Sequence, residues 1–176
     1  MLKLSSTLVN ILIMGLQEGA AVGTAVRPLV NPNNLKIEGW FCTTPASKEV
    51  LFLPISDIRE IARYGMAVNN RQSLAPLEEF IRLEKIMRLD YQLHGKLVVT
   101  ESKKKLGKIE DFAANLDSFY IEKLYVNQRA LSAFTKDQLV VSRLQIREIT
   151  DKKIVIQDIE AFEKAFFKRP LQAPEI

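Results

Sequence analysis

Hydrophobic residues in this chain fall in short runs, several with alternate polar positions, broken by Gly, Asn or clustered charge. That is a strand pattern rather than a helical one. In the first half it predicts strands at Leu8–Met14, Val22–Val30, Lys36–Cys42, Val50–Pro54 and Met66–Val68. Gly15-Leu16-Gln17-Glu18-Gly19 and Asn31-Pro32-Asn33-Asn34 supply the turns between them. Asp57–Ile61 reads as a short helical turn or a strand edge. In the second half, strands are predicted at Gly95–Thr100, Leu106–Phe112, Phe119–Val126, Leu139–Leu144 and Ile154–Gln157. Glu101-Ser102-Lys103-Lys104-Lys105 and Asn115-Leu116-Asp117-Ser118 are turns of that half.

The two halves repeat one another. Ile58-Arg59-Glu60-Ile61 recurs as Ile146-Arg147-Glu148-Ile149, each after an apolar run, Leu51-Phe52-Leu53 and Leu139-Val140-Val141. Upstream, Gly23 aligns with Gly107, Asn31 with Asn115, and Ile37-Glu38 with Ile121-Glu122. Residues 127–138 take the place of 43–50, so the second connection is longer. A repeat fixes architecture before function. It predicts an all-β fold of two small tandem barrels related by a pseudo-two-fold, with each thin core supported by the other.

Two segments depart from the strand pattern. Pro76 to Leu89 carries Leu77, Phe80, Ile81, Ile86 and Met87 among charges and predicts a linker helix. Asp158 to Lys168 predicts a C-terminal helix with Asp158 as N-cap and Ile159, Phe162, Ala165 and Phe166 on its apolar face. That face either packs internally or docks a partner. The predicted organisation is a first repeat at 1–75, a helical linker at 76–90, a second repeat at 91–157 and a helix with tail at 158–176.

Composition changes this picture little. The 176 residues are 47% hydrophobic and 26% charged, with a formal net charge of +4, ordinary for a globular chain. The single cysteine, Cys42, excludes an intramolecular disulfide and suits a reducing compartment, so a cytoplasmic location is expected. Leu8 to Val26 holds one charge, Glu18, and superficially suggests a leader or anchor. Its aligned partner is rich in lysine, and two copies of one fold are not expected to divide between lipid and water.

Candidate chemistry is sparse. There is no Gly-rich phosphate loop, G-x-S-x-G, H-E-x-x-H or C-x-x-C, and the lone His94 precedes a glycine. No catalytic, cofactor-binding or metal-binding residues are expected, and no enzymatic activity. Lys103, Lys104 and Lys105 form the densest positive run, on a hairpin tip that either contacts phosphates or is a solvated turn. Arg59 and Arg147 sit at equivalent positions, as a structural ion pair or cap in each copy or as a matched partner-binding pair. Trp40, Phe41, Phe119, Tyr120 and Tyr125 read as core, with base stacking the alternative.

The second copy carries a recognisable pattern. Leu93-His94-Gly95-Lys96-Leu97-Val98-Val99 leads to Leu106-Gly107-Lys108-Ile109-Glu110-Asp111-Phe112 and then to the long Phe119–Val126 run. Leu139-Val140-Val141, Ile146–Ile149 and Ile154-Val155-Ile156 close it. This resembles the PRC-barrel family, known from the photosynthetic reaction centre H subunit and a ribosome maturation factor. The first copy keeps Val22-Gly23, Ile37 and the Ile58–Ile61 block but lacks the opening Gly-Lys. The resemblance implies compact β modules that work in assemblies, and it brings no catalytic residues. A protein partner is the first expectation. An RNA or ribosomal particle, as in ribosome maturation or RNA processing, is the second. No DNA specificity, membrane span or cofactor is expected, and the chain is expected as a monomeric pseudo-dimer or weak homo-oligomer.

Overall fold

The computed structural model describes residues 1–45, 47–62, 64–127 and 138–158. The chain is mostly β. Its strands are β1 (Leu2–Leu4), β2 (Ile11–Gly15), β3 (Ala20–Asn31), β4 (Lys36–Thr44), β5 (Ser47–Pro54), β6 (Ile58–Ala62) and β7 (Gly65–Val68), then β8 (Ala75–Pro76). After the helix α1 (Glu84–Leu89) come β9 (Leu97–Thr100), β10 (Lys105–Asn115), β11 (Tyr120–Asn127), β12 (Gln138–Ser142), β13 (Ile146–Ile149) and β14 (Lys153–Ile156).

The repeat is topological as well as sequential. The first copy orders its strands β6-β7-β2-β3-β4 and the second β13-β14-β9-β10-β11. In each, one neighbouring pair is parallel: β2 with β7, and β9 with β14. Both hairpins are bulged at the same place. Ile13 faces Gly23 and Met14 faces Ala21, just as Val98 faces Gly107 and Val99 faces Lys105. A bulge leaves an extra residue on one strand and sharpens its bend, the local device for curling a short sheet. The hydrogen-bonded path ends at β13 and β6 and is not closed.

By packing, the chain divides into two units that do not coincide with the repeats. Unit 1 comprises Met1–Leu93 and Asp111–Lys123. Unit 2 comprises His94–Glu110 and the chain from Leu124 onward. In unit 1 the core includes Ile13, Trp40, Phe52, Leu53 and Met66, all fully buried, with Trp40 Nε1 donating to the Leu8 carbonyl at 2.9 Å. Ala113–Asn115 of β10 pair with β1, and Phe119 packs edge-on against Trp40. In unit 2 the core is Val98, Ile109, Leu124, Val126, Ile154 and Ile156.

The expected helix from Pro76 to Leu89 is shorter than its pattern. Ala75–Pro76 pair with Leu51 and Phe52 as β8, Leu77–Glu79 form a single 3-10 turn, and only Glu84–Leu89 are α-helical. Phe80 has ψ 56, off the helical path, and its ring meets Phe52 edge-on at 5.0 Å. Burial of Phe80 decides the backbone here, because so short a helix has little intrinsic stability to oppose it. Asp57–Ile61 resolves into a 3-10 turn at Ile55–Asp57 followed by β6. The N-terminal β1 was not foreseen in the hydrophobic pattern. The C-terminal helix expected after Asp158 lies outside the described residues, as does most of the 127–138 connection. Among the described residues, no helix is long and apolar enough to cross a membrane.

Candidate functional site

Unit 1 contains a cavity of about 710 Å³, large enough for a peptide side chain cluster or a small ligand. Its apolar lining comes from Val26, Phe41, Val50, Leu77, Ile81 and Met87. Charged groups line it too: Arg27, Glu78, Glu84, Arg88 and Asp90.

Local folding explains each wall. On β3 the register against β4 slips between Ala25 and Arg27, so Ala25 faces Cys42 and Arg27 faces Phe41. The bulge brings Val26 and Arg27 out together, and both line the cavity. The opposite wall is the segment after β8. Leu77, Phe80, Leu83, Ile86 and Met87 pack on the cluster of Leu29, Phe41 and Phe52. Phe41, Phe52 and Phe80 make successive edge-to-face contacts at 5.7 and 5.0 Å.

Arg27 ties the two walls together. Its guanidinium lies 4.2 Å from the Phe41 ring centroid, and Nη2 is 2.7 Å from Asp90 Oδ1. Asp90 terminates α1 with φ 42, a left-handed cap that an aspartate tolerates better than most residues. Arg88 pairs one helical turn back with Glu84 at 2.5 Å. These pairs are substantially exposed, so each stabilises by at most about 1 kcal/mol. Their role is to fix the rim.

The residues singled out in the sequence lie elsewhere. Lys103–Lys105 cap the β9–β10 hairpin of unit 2, all exposed. Arg59, on β6 of unit 1, donates from Nε to Asn69 Oδ1 at 2.8 Å. Arg147, on β13 of unit 2, donates from Nη2 to Gln157 Oε1 at 2.7 Å. Each arginine thus bonds an amide just past the strand that follows it, in the same way in both copies. Cys42 is fully buried, with its Sγ 3.3 Å from the Trp40 carbonyl oxygen, and burial pushes its thiol up to about 12. That is a structural cysteine, not a nucleophile. Trp40 and Phe41 are buried, as a core role requires.

Sequence reasoning missed the groove itself. Its one visible signal was the apolar series Leu77, Phe80, Ile81, Met87 in the linker. Nothing local marked Arg27, Val50 or Asp90, which meet only through tertiary structure. By alignment, three of its lining residues differ in the second copy: Val26, Arg27 and Val50 correspond to Glu110, Asp111 and Gln138. Among the described residues, no group of three or more His, Cys, Asp or Glu is placed to hold a metal ion. No protein family matches the chain, and neither does any curated protein.

Proposed function

We propose that this chain is a tandem PRC-barrel-like scaffold that acts without enzymatic activity as a cytoplasmic protein-binding module, and that the unit 1 groove is where the partner docks. The observation that carries the reading is an apolar lining with a fixed charged rim, at which Val26 and Val50 of the first copy give way to Glu110 and Gln138 in the second. The occupant is an extended partner segment with apolar side chains at alternate positions. β5 borders the groove through Val50, and its pairing with β8 covers only Leu51 and Phe52. An added strand along the preceding residues gains main-chain hydrogen bonds while its side chains enter the cavity, the recognition mode of sheet augmentation.

Val50 and Ile81 are 47% and 78% exposed, so charging them spares the core. A peptide display library selected on the wild-type protein is expected to yield sequences with apolar residues at alternate positions. Those peptides are expected to bind Val50→Asp and Ile81→Asp at least tenfold more weakly, with unchanged melting curves. Equal binding to the variants, or enrichment of no peptide at all, rejects the groove as a protein-docking site.

A further inference from the structure

We propose that the outer face of the β14-β9-β10 sheet in unit 2 is a binding surface for the phosphate backbone of RNA. Strand register builds it. Lys108, Leu97 and Lys153 lie side by side in one row across β10, β9 and β14. Lys105, Val99 and Val155 form the next row on the same face. With strands about 4.8 Å apart, Lys108 and Lys153 stand roughly 10 Å apart astride β9. Lys103 and Lys104 extend the surface at the hairpin tip, and Lys152 adjoins Lys153 in the turn before β14. All six lysines are exposed, and none is in an ion pair among the described residues.

The duplicated copy serves as an internal control. There Leu12 faces Thr24, and Met14 faces Ala21 and Ala67. The positions matching the six lysines are Gly19, Ala20, Ala21, Thr24, Tyr64 and Gly65, none of them charged. One topology therefore carries lysines at these positions once and uncharged residues once, so the fold does not require the lysines.

Backbone conformation adds a second contrast between the copies. Gly19 has φ 62, and its counterpart Lys103 has φ 66. The second copy places a lysine where the turn favours glycine, at a cost of about 1 kcal/mol. The tip is also held in shape. The Lys104 amide donates to Thr100 Oγ1 at 3.2 Å, Thr100 and Ser102 hydroxyls are 2.8 Å apart, and Ser102 Oγ donates to Asp158 Oδ1 at 2.7 Å.

The chemistry selects a backbone rather than bases or a bilayer. Neither row contains an aromatic ring on which a base would stack. Val99 is buried and Leu97 and Val155 are half-buried, so no large apolar side chain in these rows projects for insertion into lipid. Exposed carboxylates of Glu101, Glu110, Glu148 and Asp151 border the surface and moderate its charge. The expected affinity is that of sequence-independent binding, Kd about 10⁻⁴ to 10⁻⁶ M at physiological salt.

The test is fluorescence anisotropy with a labelled RNA duplex, the matching single strand, a DNA duplex, and vesicles containing phosphatidylserine as competitor. Wild-type protein is expected to bind RNA with a log Kd against log salt slope of about 5 for six contacts. Lys103→Gly is decisive because its two effects oppose each other. It is expected to raise the melting temperature by relieving the turn, yet to weaken RNA binding several-fold and lower the slope by about one. The combined Lys105→Ala, Lys108→Ala and Lys153→Ala variant is expected to lose binding at least tenfold more. Unchanged affinity in these variants, absence of binding at low salt, stronger binding to the DNA duplex than to RNA, or displacement of RNA by the vesicles would overturn the proposal.

Discussion

Single residues in this protein are constrained mostly by where one strand must approach another. Gly107 has φ 142, and a Cβ there would run into the Asn127 carbonyl oxygen. Its counterpart Gly23 has the same difficulty with the Thr43 carbonyl. Gly19 also has positive φ, but a Cβ there would meet open space. Gly107→Ala is therefore expected to destabilise by about 3 kcal/mol and Gly19→Ala by about 1 kcal/mol, read as urea midpoints. Equal losses would mean that the close approach at the bulge is not real. Asp158 offers a pH readout at the same scale. Hydrogen bonds from the Ser102 and Thr100 hydroxyls hold its carboxyl below its ordinary value. A lowered folded-state value stabilises above the ordinary carboxylate range, near pH 4, and the benefit is lost as pH falls through the lowered one. The hairpin tip is thus expected to be insensitive to pH between 5 and 8 and to loosen only in acid. In Ser102→Ala, the Asp158 carboxyl resonance is expected to titrate at higher pH than in the wild type. An unshifted titration would place the cause elsewhere.

At the scale of elements, the strands and their duplication were visible in the sequence, whereas the strand order and the bulges come only from the structure. Gly23 and Gly107 matched by alignment with no sign of a bulge, and the first Ile-Arg-Glu-Ile block read equally as a helical turn or a strand edge until register placed the two blocks in β6 and β13. The linker misled for a physical reason. Leu77, Phe80, Ile81 and Met87 have helical spacing, but the sheet offers a slot beside Phe52 that is worth more to Phe80 than another turn of helix. The same step hid the groove, since its rim depends on how the segment ends at Asp90 and not on its periodicity. Lys103–Lys105 were legible as a charge run, whereas Lys108 and Lys153 joined them only through strand register. Phe80→Ala tests the linker reading. Loss of its edge contact and half-buried ring is expected to cost about 2 kcal/mol and to abolish peptide binding in the groove. In unit 2, the Arg147–Gln157 side-chain resonances are expected to stay put. A change there would show that the linker does more than wall the groove.

At the scale of the whole molecule, the repeat in the sequence and the units of packing are different divisions of the same chain. Residues 111–123 belong to the second repeat but pack within unit 1, while the aligned residues 27–39 of the first repeat stay in unit 1. Unit 1 is therefore incomplete without a segment encoded after α1. Ile37 N donates to the Phe119 carbonyl at 2.8 Å and Ile121 N to the Leu35 carbonyl at 2.9 Å. Ala113–Asn115 give β1 its only pairing partner among the described strands. A chain cut between residues 90 and 91 should accordingly yield two halves that do not fold well alone. Trp40 reports this directly, because it is fully buried and Phe119 covers one edge of its ring. The isolated 1–90 fragment is expected to show red-shifted tryptophan emission and a broad melting transition. Mixing it with 91–176 is expected to restore native emission, since the missing strands carry their own pairing information. If fragment 1–90 alone has native emission and a cooperative transition, the segment 111–123 is an accessory. If it does not, duplication has produced a chain whose copies are no longer separable, which explains how one could keep a groove and the other acquire a charged face.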